Sequence, residues 1–339
     1  MIDIDFEVLR NIGLNQAITN QLFALPDPAP GTRLARVTSV HRDCATIDDG
    51  HHEQNAATLP GCVPVVGDWA LHADGRITAL LPPLTQLARR TADGRRQALA
   101  SNVDTALLVM GLDHDFKLRR LERYLTLAQG LDVLVVLTKI DVGIDVGNKL
   151  EQLRQRLPAS INTLAVNATA PETAQQLAPW LGAGQTLILL GSSGAGKSTL
   201  TNALAASHQA TGGVREGDGR GRHTTTARSL HRCAGGACII DTPGLRSWQP
   251  DADEAVLAAS FDDIESLATQ CQFRDCSHAS EPGCAVRGAV DPDRLFNYNK
   301  LLREVRRTGQ TPLDRIAERN KFKVLMKAVG ARDRAKRGT

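Results

Sequence analysis

The chain has 339 residues, 42% of them hydrophobic, with a formal net charge of +3. That length fits two or three domains at roughly 150 residues each, and the composition is that of a soluble globular protein and excludes a fibrous or disordered one. Seven cysteines in a chain this long exclude a disulfide scaffold and point to a reducing compartment. The opening Met1-Ile2-Asp3-Ile4-Asp5 has neither the basic nor the apolar region of a secretory signal. The longest apolar runs, Thr105–Met110 and Leu131–Leu137, are too short to span a bilayer. A cytoplasmic monomer with no membrane partner is expected. The charge is unevenly spread, with 14 Lys and Arg against four Asp and Glu from Arg294 to Thr339. A basic terminus on a mildly acidic body suits an anionic partner such as nucleic acid.

Residues 1–30 read as a weakly structured arm followed by a linker from Pro26 to Pro30. Residues 31–98 hold short strand-like runs, Leu34–Val40, Cys44–Ile47 and Trp69–His72, separated by Asp49-Gly50, Pro60-Gly61 and Asp74-Gly75 turns. Strands without intervening helices predict a small β-barrel of the OB type.

Residues 99–250 change to alternating strands and helices, the signature of a doubly wound, mostly parallel α/β sheet that binds ligands at its strand C-termini. Thr105–Met110 reads as a buried strand, Lys117–Gln129 as a helix, and Asp132–Leu137 as a second strand ending at Thr138-Lys139-Ile140-Asp141. The Asp141 carboxylate can accept from both N1–H and the exocyclic amine of guanine, whereas adenine leaves it unpaired. Lys139 is expected to lie along the base with its aliphatic stem. Asn167-Ala168, after the strand Thr163–Val166, is placed to offer a backbone amide to the guanine oxygen. The first position of this base-reading element is usually Asn. Thr138 is shorter, which predicts weaker nucleotide affinity with guanine preference retained.

Thr186–Leu190 feeds Gly191-Ser192-Ser193-Gly194-Ala195-Gly196-Lys197-Ser198, a full phosphate-loop signature, with Thr199 continuing into a helix to Ala206. Its glycines let successive amides point at phosphate oxygens, and the helix N-terminus adds partial positive charge. Lys197 is expected to bridge the β- and γ-phosphates, and Ser198 to ligate Mg2+.

Residues 212–226 contain Gly212, Gly213, Gly217, Gly219 and Gly221, then His223-Thr224-Thr225-Thr226. Their position suits a switch loop in which a threonine closes on Mg2+ and γ-phosphate. Thr225 is the chosen ligand, although sequence does not separate the three threonines. Cys233 and Cys238 flank Gly235-Gly236, read as a two-residue hairpin turn that sets the cysteines opposite each other as reduced packing residues. Ala237–Ile240 then leads to Asp241-Thr242-Pro243-Gly244. There Asp241 would hold Mg2+ through water and the Gly244 amide would sense γ-phosphate. Leu245 occupies the place where signalling GTPases carry the water-orienting Gln. His223 is the candidate to supply that role.

Residues 251–339 read as helical and basic at the end. Cys271, Cys276, His278 and Cys284 give three thiolates and an imidazole within a short span, a closed tetrahedral set suited to structural Zn2+.

The base-reading element precedes the phosphate loop, the reverse of the ordinary GTPase order. This permuted order, the Gly-Arg-His-Thr-Thr-Thr run, the Asp-Thr-Pro-Gly-Leu-Arg element and the cysteine-rich last third resemble the ribosome small-subunit-dependent GTPase A (RsgA/YjeQ) family, from about Thr32 to the C-terminus. The resemblance implies an N-terminal OB-fold, a circularly permuted GTPase core and a C-terminal zinc domain. It implies GTP and GDP as ligands, a role in late maturation of the small ribosomal subunit with that subunit and its rRNA as partners, and support for His223 as catalytic alongside Lys197 and Thr225. Arg303, Arg306, Arg307, Lys321, Lys323 and Lys327 are candidate rRNA contacts. The competing expectations are an RNA-binding scaffold whose nucleotide only controls shape, and a zinc-dependent nucleic-acid module using ATP, which Asp141 opposes.

Overall fold

The computed structural model describes residues 4–26, 29–59, 61–91, 95–205, 228–244 and 249–309. The chain divides into two compact units, one made of Met1–Thr91 with Arg96–Trp248, the other of Ala92–Arg95 with Gln249–Thr339.

The first unit begins with two helices, α1 (Phe6–Arg10) and α2 (Gln16–Phe23), where a weakly structured arm was expected. Both are N-capped by short polar side chains: Asp5 accepts from the Val8 amide at 3.1 Å and Asn15 from the Ile18 amide at 3.0 Å. Leu9, Ile12, Leu14, Ile18 and Leu22 are buried in the main core. Helices of five and eight residues carry too few turns for a hydrophobic period to show in sequence.

Five strands follow: β1 (Arg33–Val40), β2 (Cys44–Asp48), β3 (Glu53–Ala57), β4 (Trp69–Ala73) and β5 (Arg76–Leu80). The ring closes in the order β1-β2-β3-β5-β4 and back to β1, the five-stranded barrel expected from sequence. Its interior is small and apolar, with Ala35, Val37, Ala45, Ile47, Ala56, Ala70 and Ile77. A hairpin of β6 (Gln86–Arg90) and β7 (Arg96–Ser101) comes next, and β7 runs across the expected boundary at residue 98.

The α/β core consists of β8 (Thr105–Gly111), α3 (Leu118–Leu127), β9 (Asp132–Thr138), α4 (Val146–Arg156), β10 (Asn162–Ala165), α5 (Glu172–Leu177), β11 (Thr186–Gly191), α6 (Lys197–Leu204), β12 (Ser229–Arg232) and β13 (Cys238–Asp241). The order β10-β9-β8-β11-β13 is wholly parallel, and β12 adds an antiparallel strand beside β13. Alternate residues serve opposite faces, as the two-residue period of a strand demands. Leu108, Met110, Val135, Leu137, Ile188 and Leu190 pack with Leu121, Tyr124, Leu125 and Leu153 of α3 and α4. Leu107, Val109, Leu134, Val136, Leu187 and Leu189 pack with Leu177, Leu200 and Leu204 of α5 and α6. Helices cover both faces, so the sheet is doubly wound.

The barrel and core share one sheet, because β1 pairs with β12 at Ser39 and Ser229. Arg36 ties the same junction from inside. It is fully buried, lies 5.3 Å over the Trp69 ring and donates to the carbonyls of Ile12, Gly67 and Asn102 and to the Thr186 hydroxyl. Burial lowers its pKa from the usual value, and nearby Cys238, Asp104 and Asp68 partly offset the effect.

The expected Cys233–Cys238 pairing is off by one residue. Cys238 faces Arg232, and the Cys233 amide donates to Ala237 at 2.8 Å. The connection has three residues because Gly236, at φ +85°, adopts the left-handed conformation that closes a turn begun at the Cys233 carbonyl. Both thiols are buried, and burial raises their pKa, to about 12 for Cys233 and about 11 for Cys238. Inert packing follows from that.

The second unit contains α7 (Glu254–Ser260), α8 (Asp262–Ala268) and α9 (Pro292–Gly309). Its own core joins Leu257, Phe261, Ile264, Val286, Leu295, Tyr298, Leu301 and Val305. Arg294 clamps α9 to α8, pairing with Asp263 at 2.6 Å while its guanidinium stacks 4.6 Å from the Phe261 ring centre. Among the described residues, no helix is long and apolar enough to cross a membrane.

Candidate nucleotide site and metal centre

Parallel strands place their C-terminal ends along one edge, and that edge collects the sequence-predicted elements. β11 enters the phosphate loop, where Gly194 and Gly196 have φ of +82° and +93°, and α6 leaves it at Lys197. Lys197 is buried, and its Nζ donates to the carbonyls of Gly191 at 3.1 Å and Ser192 at 2.7 Å. Burial lowers its pKa from the usual value, while Asp241 and Asp115 act in the opposite direction. The ammonium therefore folds over the concavity of its own loop, where phosphate oxygens could replace those carbonyls.

The two Mg2+ candidates among the described residues lie together, with the Ser198 hydroxyl 3.3 Å from the Asp241 carboxylate. Asp241 ends β13 and is buried. The next residue, Thr242, anchors the segment by donating to Leu189 at 2.5 Å. Gly244 then comes so close to the loop that a Cβ built on it would lie 2.5 Å from the Ser193 nitrogen. Only glycine allows that approach.

The base-reading element meets the loop directly. Thr138 is fully buried and its hydroxyl donates to the Ala195 carbonyl at 2.6 Å. Short as it is, the threonine side chain thus reaches the phosphate loop. Gly196 lacks a side chain, and even a Cβ there would sit 3.1 Å from the Thr138 hydroxyl, so the loop closes onto the shorter residue. Lys139, at φ +61°, turns the chain out of β9, and its Nζ pairs with Asp113 at 2.8 Å. Burial opposes the Asp113 charge, but the Lys139 bond and the Asp115 amide outweigh it and hold the carboxyl below its usual range. Ile140 and Asp141 are exposed at this edge. β10 runs parallel to β9 in register Ala165 with Leu137, bringing Asn167 and Ala168 alongside. The Asn167 side chain accepts from the Thr169 hydroxyl at 2.7 Å, and its carbonyl accepts from the Thr173 hydroxyl at 2.6 Å, which fixes the turn. Thr199 opens α6 beside Ser198 and is exposed.

Sequence reasoning missed Asp113, Asp115 and Arg120. Asp115 accepts from the hydroxyl of Ser192 at 2.5 Å and pairs with Arg120. None belongs to a motif, and only the strand order that seats β8 between β9 and β11 brings them to the loop. His223, Thr225 with its neighbours Thr224 and Thr226, Leu245, Lys321, Lys323 and Lys327 lie outside the described residues.

The candidate metal centre belongs to the second unit and is built from one short stretch. One donor atom each from Cys271, Cys276, His278 and Cys284 lie within 4.8 Å of one another. The His278 Nδ1 is 3.7 Å from the Cys271 sulfur and 3.5 Å from the Cys284 sulfur. A tetrahedral ion with bonds of about 2.0–2.3 Å has ligand-to-ligand edges of about 3.3–3.8 Å, which the two His278–sulfur separations match. His278 reaches this position through a left-handed backbone, φ +57°. Desolvation opposes the Cys284 thiolate, but the amides of Arg287 and Val286 and the His278 ring bring its pKa down to about 6. The His278 amide favours a Cys276 thiolate, yet desolvation and the neighbouring Cys284 and Cys271 push it up to about 11. Crowded thiols resist joint ionisation, and a divalent cation relieves that repulsion. Of the basic residues predicted to meet rRNA, Arg306 is paired with Glu254 at 2.9 Å and Arg303 donates to the Asn299 carbonyl at 3.1 Å.

Comparison with known proteins agrees with this arrangement. The sequence profile of the RsgA GTPase family matches residues 81–251. The small ribosomal subunit biogenesis GTPase RsgA of Xanthomonas oryzae pv. oryzae is 46% identical over 98% of this chain and 98% of that protein. The crystal structure of YjeQ from Thermotoga maritima superposes with a TM-score of 0.59 at 23% identity, covering 83% of this chain and 100% of that one. YloQ, a circularly permuted GTPase, superposes with a TM-score of 0.54 at 19% identity over 84% of this chain and all of its own. A permuted order of guanine-nucleotide elements on one parallel sheet, together with this likeness along nearly the whole length, makes the chain a member of the RsgA GTPase family.

Proposed function

We propose that this chain is a cytoplasmic, monomeric enzyme that hydrolyses GTP to GDP and phosphate during late maturation of the small ribosomal subunit, stimulated by that subunit and touching its rRNA. The name of its Xanthomonas relative, a small ribosomal subunit biogenesis GTPase, supports the setting. The observation that carries the chemistry is the Thr138 bond to Ala195. It joins the base-reading and phosphate-gripping elements into one pocket despite their reversed order in the chain.

Guanine is read by Asp141, with Lys139 along the ring and the Asn167-Ala168 backbone at the oxygen; Thr138 and Ile140 shape that end. Residues Gly191 through Thr199 cradle the phosphates. Lys197 exchanges its loop carbonyls for phosphate oxygens and holds positive charge where negative charge builds in the transition state. Mg2+, held by Ser198, Asp241 and Thr225, would neutralise phosphate charge. Gly244 is placed to sense the γ-phosphate, and His223 is assigned to orient the attacking water, since Leu245 offers no hydrogen bond. Cys271, Cys276, His278 and Cys284 hold one structural Zn2+, because all four positions are filled by protein and none is left open for a reactant. Loss of γ-phosphate would move the switch and reorient the RNA-contacting parts.

Two measurements test this reading. GTP hydrolysis by the purified chain should be slow and should rise steeply on adding purified small subunits; equal rates with and without them would instead favour a scaffold. Asp141→Asn should lower the guanosine-over-adenosine preference by about tenfold or more, the loss expected when a charge-assisted pair is removed. Unchanged selectivity in competition binding would break the base assignment.

A further inference from the structure

Asp115 sits between β8 and α3, 77 residues before Ser192 in sequence, and is only 7% exposed. Its Oδ1 accepts from the hydroxyl of Ser192 and from Arg120, and its Oδ2 accepts from the Gly111 amide at 3.2 Å. A buried carboxylate beside a loop built for anions opposes phosphate binding unless it is neutralised. Arg120 and the Gly111 amide supply that neutralisation, so the carboxylate can act as an anchor.

What it anchors is specific. Ser192 is held twice, by its hydroxyl to Asp115 at 2.5 Å and by its carbonyl to Lys197 at 2.7 Å. A nucleotide that draws Lys197 to its phosphates removes the second tie and leaves the first. The next residue, Ser193, presents the backbone against which Gly244 closes, at a spacing that admits no Cβ. Fixing Ser192 therefore fixes the part of the loop that faces the Asp-Thr-Pro-Gly segment.

We propose that Asp115, through the Ser192 hydroxyl, is a positioning residue that sets the γ-phosphate end of the loop for closure by Gly244, and so discriminates GTP from GDP. The proposal rests on the nucleotide-site reading above. Arg120 holds the anchor in its orientation. The rest of the loop takes its shape from its own glycines and from Thr138, so GDP affinity depends little on Asp115.

The test uses the full chain and measures dissociation constants for GDP and for a nonhydrolysable GTP analogue. Asp115→Ala and Ser192→Ala should each weaken the analogue by about tenfold and GDP by less than about twofold, the scale of one hydrogen bond to a charged group. The double variant should be no worse than either single one, because both remove the same bond. Asp115→Asn keeps an acceptor for the hydroxyl and should restore most of the analogue affinity. Equal losses for the two nucleotides, an additive double variant, or no rescue by Asn would each overturn the proposal. Should Asp115→Ala fail to fold, Ser192→Ala removes only a hydroxyl and decides the matter alone. Wild-type protein that binds neither nucleotide would bring down the nucleotide-site reading as well, so the two failures are distinct.

Discussion

The two sites in this chain are assembled in opposite ways. The candidate nucleotide site gathers Thr138, Lys197 and Asp241 from two strand ends and a helix start spread over about a hundred residues, and the hydrogen-bonded sheet beneath holds them in place before any ligand arrives. The metal centre draws all four donors from residues 271–284, a stretch with turns but no strand or helix of its own. A site built on a sheet inherits its rigidity from the sheet. A site built on a loop must take its rigidity from what it binds.

That contrast can be broken most directly by removing metal. Chelation should loosen the second unit by several kcal/mol, since binding energy at such a centre is folding energy. Protease sites within α7–α9 should open, while the unfolding of the first unit, read by the fluorescence of Trp69 and Trp180 in a Trp248→Phe background, should hardly move. Unchanged protease sensitivity would place the rigidity of the metal site in its chain. The converse experiment attacks the sheet. Arg36→Met strands three buried carbonyls, at about 1 kcal/mol or more each, and should lower the unfolding free energy measured by urea titration by about 3 kcal/mol in all. A variant as stable as wild type would show that the barrel and core need no such tie.

Lys197→Ala should cost about a hundredfold or more in GTP turnover, as loss of one well-placed cationic donor does. Its melting temperature should change little, since the ammonium bonds only loop carbonyls. Turnover within a few-fold of wild type would remove Lys197 from the chemistry.

The smallest effect is with pH. Burial lowers the pKa of His72 and His231 in the first unit, with Asp49 and Asp241 respectively opposing the shift. A histidine held neutral in the fold but protonated when unfolded stabilises fully above its unfolded pKa. That stability declines as pH falls below about 6.5, by at most ~1.4 kcal/mol per pH unit for each group. The carboxyls of the second unit behave differently. Desolvation resists the Asp263 charge but Arg294 lowers its pKa, and the Arg306 bond lowers that of Glu254. Their contribution is present above about pH 4 and fades only as pH drops through the folded values. The fluorescence-detected urea midpoint should therefore decline between pH 7 and 5, and His72→Gln with His231→Gln should flatten the decline. A flat wild-type profile would remove this difference.

Much of the nucleotide site was legible because its motifs are short, contiguous and bound to strand ends. Thr186–Leu190 reads as a strand, the loop glycines as a backbone curl, and Ser198 as a helix start from residue types alone, one residue after the observed start at Lys197. The clustering of the four candidate metal donors was legible because few other roles fit three cysteines and a histidine so close together. What stayed hidden depends on register or on burial by distant segments. β3 has the sequence Glu-Gln-Asn-Ala-Ala with only Ala56 buried, so no alternation announces it. The helices α1 and α2 owe their stability to the core they cover. Asp115 looks like any loop aspartate until β8 is seen to flank β11. The hairpin at Cys233 slipped by one residue because a left-handed glycine adds a position that counting along the chain cannot reveal.

The permuted order also decides where the core is tethered. The chain enters the α/β core through β8 and leaves it through β13, and these two strands flank β11 on either side. Each lies one strand spacing, about 4.8 Å, from the strand that carries the phosphate loop. In the ordinary order both would be internal links, continued by further core strands. Here each ends the core on one side of β11, so both of the core's outward connections lie next to the strand that carries the candidate phosphate loop.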